Sequence, residues 1–235
     1  MMKVQQQRNL MGGALIARVA LITGLIFFGG TAMSLEQPEY TVVHTEGDIE
    51  YRQYDSYLVS ETIIENAGSY EDAGNEGFRR LFRYISGGNQ SQSKIAMTVP
   101  VQQTPQSEKI AMTVPVQQQN SAEGWRVTFM LPSQYTLETA PQPQDPRVQV
   151  REVPARLVAA LRFSGRWTDR NFEGKKRILL ASMEADSVQS LGEMQSAMYS
   201  APYIPPFMRR NEVMVEVNRL PASASVAPPQ AAAAY

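Results

Sequence analysis

The peptide KIAMTVPVQQ stands twice in the chain, at Lys94–Gln103 and at Lys109–Gln118. In both copies the large apolar side chains alternate with alanine and threonine, which is the period of two expected of a β-strand with one buried face. Each copy contains a proline, Pro100 or Pro115, and proline removes one donor from the hydrogen-bond ladder. The repeat therefore predicts two β-strands, each with an edge or a bulge at its proline.

The residues before the repeat predict two strands and a helix. Alternating segments on both sides of Asp55-Ser56 predict two strands around a turn. Apolar residues then recur at the spacing i, i+3, i+4 and i+7, which predicts a helix that buries one stripe: they are Phe78, Leu81, Phe82 and Ile85. Ser69, with Asp72 three residues later, is the predicted N-cap, and Gly87-Gly88 is expected to end the helix.

The first half of this pattern recurs in the second half of the chain. Ile49–Arg52 aligns with Val148–Arg151, and Leu58-Val59 aligns with Leu157-Val158, in both cases 99 residues later. The aligned segments predict a second pair of strands. We therefore expect the elements that follow them to repeat as well.

The expected second helix has Thr168 as its N-cap and a stripe formed by Phe172, Leu179 and Met183. Further strands are expected at Val127–Leu131, Met194–Tyr199 and Val213–Val217. The sequence thus predicts one pseudo-symmetric α+β domain over residues 35–219. Its two halves meet at the proline-rich segment Pro141–Pro146, and neither half alone would bury enough surface to be comfortably stable.

Composition excludes several classes of site. The chain of 235 residues has no cysteine, which removes disulfides, thiolate metal sites and cysteine nucleophiles. The first 34 residues hold three basic and no acidic side chains, so the net charge of −1 for the whole chain becomes −4 for the remainder. A weakly acidic domain is a poor candidate for nucleic acid, because phosphate binding needs a concentrated positive surface.

The two termini differ from the domain. Leu10–Met33 is apolar apart from Arg18 and a few small polar residues, which predicts either a signal peptide cleaved near residues 32–34 or an uncleaved membrane anchor. Both alternatives place the domain outside the cytoplasm, in the periplasm or on the periplasmic face of the inner membrane. Residues 220–235 are rich in alanine, proline and serine and predict a disordered tail.

Several segments together resemble the SOUL, or heme-binding protein, family. The resemblance spans about residues 40–217 and rests on IEYRQY, RYISGGN, both KIAMTVPV copies, FSG, YIPPF and RRNEVMVEV. It implies a distorted antiparallel β-barrel with two helices. It also implies non-covalent binding of heme or another tetrapyrrole in an open apolar groove.

This chain departs from the family at two points. Some members ligate heme iron through a histidine, whereas here the only histidine is His44, which precedes the first family motif. Only Met208 separates Phe207 from Arg209, so the loop that borders the implied groove is shortened.

A porphyrin needs flat apolar contacts, cations for two propionates and, where iron is ligated, an axial ligand. The residues that meet these needs, and hence the predicted heme groove, are Phe78, Arg79, Phe82, Arg83, Met97, Met112, Tyr203 and Phe207. Each has a structural alternative: a core stripe with a solvated rim on the helix, barrel interior for the methionines, and a rigid aromatic turn for Tyr203–Phe207. Arg209, Arg210 and Glu212 predict a structural ion-pair cluster.

The sequence contains no recognisable catalytic constellation, and a carboxylate pair is left open by residue type alone, with Glu61, Glu65, Glu138 and Glu152 as the candidates. A Ser–His–Asp triad would have to use His44, no G-x-S-x-G accompanies it, and neither phosphate-binding glycine motif occurs. Three functions remain open. These are a non-enzymatic tetrapyrrole-binding protein, an effector-binding module for another small amphipathic molecule, and an envelope interaction domain that has lost its ligand.

Overall fold

The computed structural model describes residues 35–92 and 107–224. The helices are α1 (Tyr70–Ile85) and α2 (Asp169–Ala185). The strands, in chain order, are β1 (Tyr40–Glu46), β2 (Ile49–Tyr54), β3 (Tyr57–Ile64), β4 (Asn89–Gln90), β5 (Val116–Ser121), β6 (Gly124–Met130), β7 (Gln142–Pro143), β8 (Val148–Val153), β9 (Arg156–Phe163), β10 (Gln195–Met198) and β11 (Asn211–Glu216).

Nine of these strands form one antiparallel sheet that curls into a half-barrel. Their order across the sheet is β1-β2-β9-β11-β10-β5-β6-β3-β8, and β4 and β7 form a separate short pair. Apart from the edge strand β1, the order is symmetric about the central β10–β5 pair, with β2-β3-α1-β5-β6 matching β8-β9-α2-β10-β11. The predicted α+β fold, with two helices on a distorted barrel of two related halves, is confirmed.

The strands on either side of Asp55-Ser56 do not pair with each other. Instead β2 pairs with β9 and β3 pairs with β8, so each half completes the sheet of the other. The segment between the halves is also more regular than the predicted hinge, because Gln142 and Pro143 pair with Asn89 and Gln90.

Each helix covers its own half of the sheet. The core beneath α2 contains Phe172, Leu179 and Met183, as the sequence predicts, and Thr168 caps the helix by accepting from the backbone N–H of Asn171. The core beneath α1 is centred on Leu81 and Phe129.

A third apolar cluster lies on the opposite face of the sheet. It includes Val158 and Ala160, which alternate along β9 with Ala159 and Leu161 of the α2 core. Among the described residues, the three clusters are formed by side chains between Tyr40 and Leu220.

Helix α1 has the predicted N-cap, since Ser69 Oγ accepts from the backbone N–H of Asp72 at 3.1 Å. The predicted stripe is only half correct. Leu81 and Ile85 are buried, but Phe78 is partly buried and Phe82 is 49% exposed. The helix instead turns a small-residue face to the sheet, which is formed by Ala73, Gly74 and Gly77 together with Tyr70 and Leu81.

The second KIAMTVPVQQ copy is a strand only after its proline. Residues 109–115 form no strand: the backbone N–H of Ile110 bonds to the carbonyl of Ile85, and that of Val114 to the carbonyl of Glu36. Pairing with β6 and β10 begins at Val116. The prediction of a strand before Pro115 is therefore wrong for this copy, and the first copy lies outside the described residues.

Within residues 35–92 and 107–224, no helix has both the length and the apolarity needed to cross a membrane. The predicted signal peptide or anchor, residues 1–34, lies outside the described residues, as does most of the predicted tail.

Candidate functional site

Four of the predicted heme-groove residues form the outward side of α1, called here the α1 outer face: Phe78, Arg79, Phe82 and Arg83. The rings of Phe78 and Phe82 are stacked, with centroids 5.8 Å apart and planes 9° apart. Phe78 also meets the core ring of Phe129 edge-on at 5.2 Å. A column of aromatic rings thus runs from the core to a surface at which Phe82 is half exposed.

Two arginines flank this aromatic column. Arg79 is 71% exposed and pairs with Glu76 one turn earlier, at 3.0 Å. Arg83 is exposed and makes no ion pair within the described part of the chain. Side chains four residues apart on a helix are neighbours, so the two guanidinium groups present cations along one edge of the rings. An exposed pair such as Arg79–Glu76 contributes little, which leaves Arg79 available to another anion.

The remaining predicted groove residues do not join this face equally. Met112 is half buried and packs against the same core cluster as Phe78. Met97 lies outside the described residues. Tyr203 and Phe207 lie on the β10–β11 connection and are 85% and 77% exposed, and no described contact links them to α1.

The β10–β11 connection is a rigid turn. Arg209 donates to the carbonyls of Ile204 at 2.7 Å and Pro202 at 2.6 Å, and residues 206–208 form a 3₁₀ turn. The backbone N–H of Gly165 donates to the carbonyl of Pro206 at 2.9 Å. Arg209 therefore holds the turn instead of joining the predicted ion-pair cluster.

The predicted ion-pair cluster of Arg210 and Glu212 also contains Arg52, which the sequence did not indicate as a member. Glu212 is fully buried and accepts from Arg52 at 2.6 and 3.1 Å and from Arg210 at 2.8 and 3.0 Å. Burial alone would raise the pKa of Glu212, but the hydrogen bonds and charges of Arg52 and Arg210 outweigh it and hold that pKa below its ordinary value. Tyr199 donates to the same carboxylate, so the cluster is structural.

A cavity bounded by the described residues lies at one end of the sheet. It has a volume of about 620 Å³ and an apolar wall that includes Leu58, Leu131 and Tyr135. None of the described residues that line it is basic, and five are acidic: Glu36, Glu39, Asp55, Glu138 and Glu152. Its charge therefore opposes an anionic ligand.

His44 does not belong to the α1 outer face. It lies on β1, at the sheet edge on the α2 side, with its ring 5.7 Å from that of Tyr51. Tyr51 is fully buried, and burial raises its pKa to about 12, so it stays protonated near neutral pH. No cluster of three metal-ligating side chains occurs within the described residues.

The α1 outer face carries a flat apolar surface and two cations, which are the groups that a porphyrin with two propionates needs. No histidine belongs to this face, and Met112 packs against the core cluster. Among the described residues, the face therefore offers contacts for a macrocycle and its propionates but no axial ligand.

Comparison with solved structures shows the fold alone. EcmrR, in a cryo-EM structure of an EcmrR–DNA complex, aligns with a TM-score of 0.52 at 7% identity, over 73% of this chain and 57% of that one. The EcmrR C-terminal domain aligns at 0.45 and 9% identity, over 73% and 98%. A hydrolase from Listeria innocua aligns at 0.43 and 12% identity, over 80% and 95%.

The sequence comparisons are more specific. No curated protein matches the chain. The family model described as SOUL heme-binding protein matches residues 35–216, which is nearly the whole of the described domain. Since that match covers most of the chain, the protein belongs to the SOUL heme-binding protein family.

Proposed function

We propose that this domain binds heme or a related tetrapyrrole without catalysis, and that the α1 outer face is where it binds. The observation that carries the proposal is the half-exposed Phe82, stacked on Phe78 and flanked by the exposed Arg79 and Arg83. A planar apolar ligand with two carboxylates is complementary to that arrangement in both shape and charge.

Electrostatics favours this face over the 620 Å³ cavity. The cavity is large enough to attract a planar ligand by volume alone. Two propionates placed among five carboxylates would be repelled, at about 1 kcal/mol for each pair of charges 4 Å apart even in water. The arginines of α1 reverse the sign of that interaction.

The absence of histidine from this face supports binding through the macrocycle. We therefore expect metal-free porphyrin to bind with about the same affinity as the iron complex. A protein that holds the ring without ligating iron suits carriage, buffering or sequestration of tetrapyrroles better than redox chemistry. The apolar segment Leu10–Met33 supports placing this activity in the cell envelope, with the segment either cleaved or retained as a membrane anchor.

The test is a titration of residues 35–224 with hemin, followed by the Soret band. The wild-type domain should bind one equivalent with saturation. Arg79→Ala together with Arg83→Ala should weaken binding about tenfold or more, because two charge-assisted contacts to the propionates are lost.

The matched control removes the same charge elsewhere. Arg162 and Arg177 are exposed and lie on β9 and α2, so changing both to alanine should leave the affinity unchanged. Equal weakening in both double variants would mean that only net charge matters and would remove the assignment to α1. A non-saturating titration would remove the proposed function itself.

A second candidate function rests on the cavity. Its apolar wall and five carboxylates are complementary to a small amphipathic cation, which corresponds to an effector-binding module. This alternative would be established if the domain binds a lipophilic cation saturably and does not bind hemin. The double variant Glu138→Gln with Glu152→Gln should then abolish binding of the cation.

A further inference from the structure

The β10–β11 connection exposes three large apolar side chains that serve no packing role in the described domain. Tyr203, Phe207 and Met208 are 85%, 77% and 65% exposed, and none belongs to a core cluster. Three exposed side chains of this size within six residues are unusual on a soluble surface. We call Pro202–Met208 the apolar loop.

The loop holds these side chains in a fixed arrangement. Three prolines stiffen it, Arg209 donates to two of its carbonyls, and Gly165 donates to a third. Little conformational entropy remains to be lost when the side chains meet an apolar phase. A rigid turn that displays tyrosine, phenylalanine and methionine has the composition of an interfacial anchor, because aromatic side chains favour the headgroup region of a bilayer.

One segment beside the loop, which leads into α2, carries a positive net charge. The bond between Gly165 and Pro206 places the segment that leads into α2 beside the loop, and Arg166 and Arg170 are exposed there. Residues 164–177 contain five basic and two acidic side chains, a net charge of +3, although the chain as a whole carries −1. This local charge is complementary to anionic headgroups.

The described chain begins beside the base of the loop. Arg210 Nη1 donates to Gln37 Oε1 at 3.4 Å, and the backbone N–H of Arg210 donates to Ser200 Oγ. Only three residues separate Gln37 from Met33, the end of the apolar segment.

We propose that the apolar loop inserts Tyr203, Phe207 and Met208 into the headgroup region of an anionic bilayer, with Arg166 and Arg170 on the lipid phosphates. Docking to a bilayer goes beyond tetrapyrrole binding. It gives the domain a defined orientation on the membrane, whether or not the N-terminal segment is cleaved.

The test exploits the absence of cysteine, which allows one environment-sensitive NBD label at a chosen position of the full chain. The labelled positions are Phe207→Cys and, as the control, Leu191→Cys. Leu191 is also apolar, 59% exposed, and bonded to Glu216 at the far end of β11 from the loop. Each chain is reconstituted with vesicles of phosphatidylglycerol and phosphatidylcholine, and separately with phosphatidylcholine alone.

The label at position 207 should shift to shorter wavelength and be quenched by lipid-bound nitroxides, more strongly in the anionic vesicles, while the label at position 191 reports water. Tyr203→Cys repeats the measurement at a second site, which guards against misfolding of one variant. Labels at 203 and 207 that report water in vesicle-bound protein would overturn the proposal. A blue shift without vesicles would also overturn it, since a protein contact would then cover the loop.

Discussion

At the level of single residues, the buried ion pair Arg52–Glu212 joins two family motifs, IEYRQY and RRNEVMVEV. Both side chains are almost completely buried, at 2% and 0% exposure, and they lie on strands that are not neighbours in the sheet. The sequence indicated an ion-pair cluster around Arg210 and Glu212 but not Arg52, because the partners are 160 residues apart. Only the order of strands in the curled sheet brings them together.

Glu212→Gln should destabilise the domain by about 3–5 kcal/mol at pH 7, because it removes the buried carboxylate that Arg52 and Arg210 share and leaves Arg52 with only the part-exposed Glu50 as a counter-charge. The free energy of unfolding in urea measures this. Glu216→Gln is the control: that residue lies on the same strand, is 40% exposed and is 3.9 Å from its partner Arg156, so a change below about 1 kcal/mol is expected.

The same pair predicts a dependence on pH. The pKa of Glu212 is lower in the folded domain than its ordinary value of 4.5, so the folded state binds this proton less readily than the unfolded state. The stabilisation is therefore complete above pH 4.5 and is lost as the pH falls from there through the folded-state pKa. The difference between wild type and Glu212→Gln should shrink over that range; a difference that stays constant would contradict the role of the ionised pair.

At the scale of elements, α1 explains why the candidate site was only partly predictable. The periodicity of its apolar residues correctly indicated a helix with Leu81 and Ile85 in the core. It did not reveal that glycines form the contact with the sheet. A Cβ on Gly77 would lie 2.5 Å from Val127 Cγ2, so the helix axis sits close to β6, and Phe82 is left half exposed at the edge of the contact.

Gly77→Ala should therefore destabilise the domain by about 1–3 kcal/mol, although alanine is the better helix former. Both Val127 Cγ atoms and its Cβ lie within 3.0 Å of the added atom, and a fully buried valine cannot turn away. In α2 a Cβ on Gly174 meets nothing within 4 Å, so Gly174→Ala should stabilise by about 0.4–1 kcal/mol. Thermal unfolding compares the two, and two changes of the same sign would refute the close approach of α1.

The repeated peptide shows the limit of alternation as a signal. Residues 109–115 have the pattern of a strand, yet within the described part of the chain their hydrogen bonds go to three separate partners. These are the carbonyls of Ile85 and Glu36 and, through Thr113 Oγ1, that of Met130. An extended segment that crosses between elements and a strand in a ladder bury the same residues, so periodicity cannot distinguish them.

At the scale of the whole molecule, the internal repeat was readable because equivalent strands have similar sequences. Ile49–Arg52 and Val148–Arg151 do form equivalent strands on either side of the central β10–β5 pair. The sequence did not predict that β2 pairs with β9 and β8 with β3, each in the other half. A sequence repeat does not indicate which copy of a strand pairs with which. The sequence also did not predict the acidic cavity, because its five carboxylates come from separate segments of the chain.

The central claim is that a tetrapyrrole lies on the α1 outer face. It is tested most directly by NMR of residues 35–224 with one equivalent of hemin, using zinc protoporphyrin as the diamagnetic reference. Paramagnetic iron should selectively broaden the amide resonances of Phe78–Arg83 and leave those of Leu137, in the acidic cavity, and Tyr203, in the apolar loop, unchanged. Broadening centred on Leu137 or Tyr203, with Phe78–Arg83 unaffected, would contradict the claim.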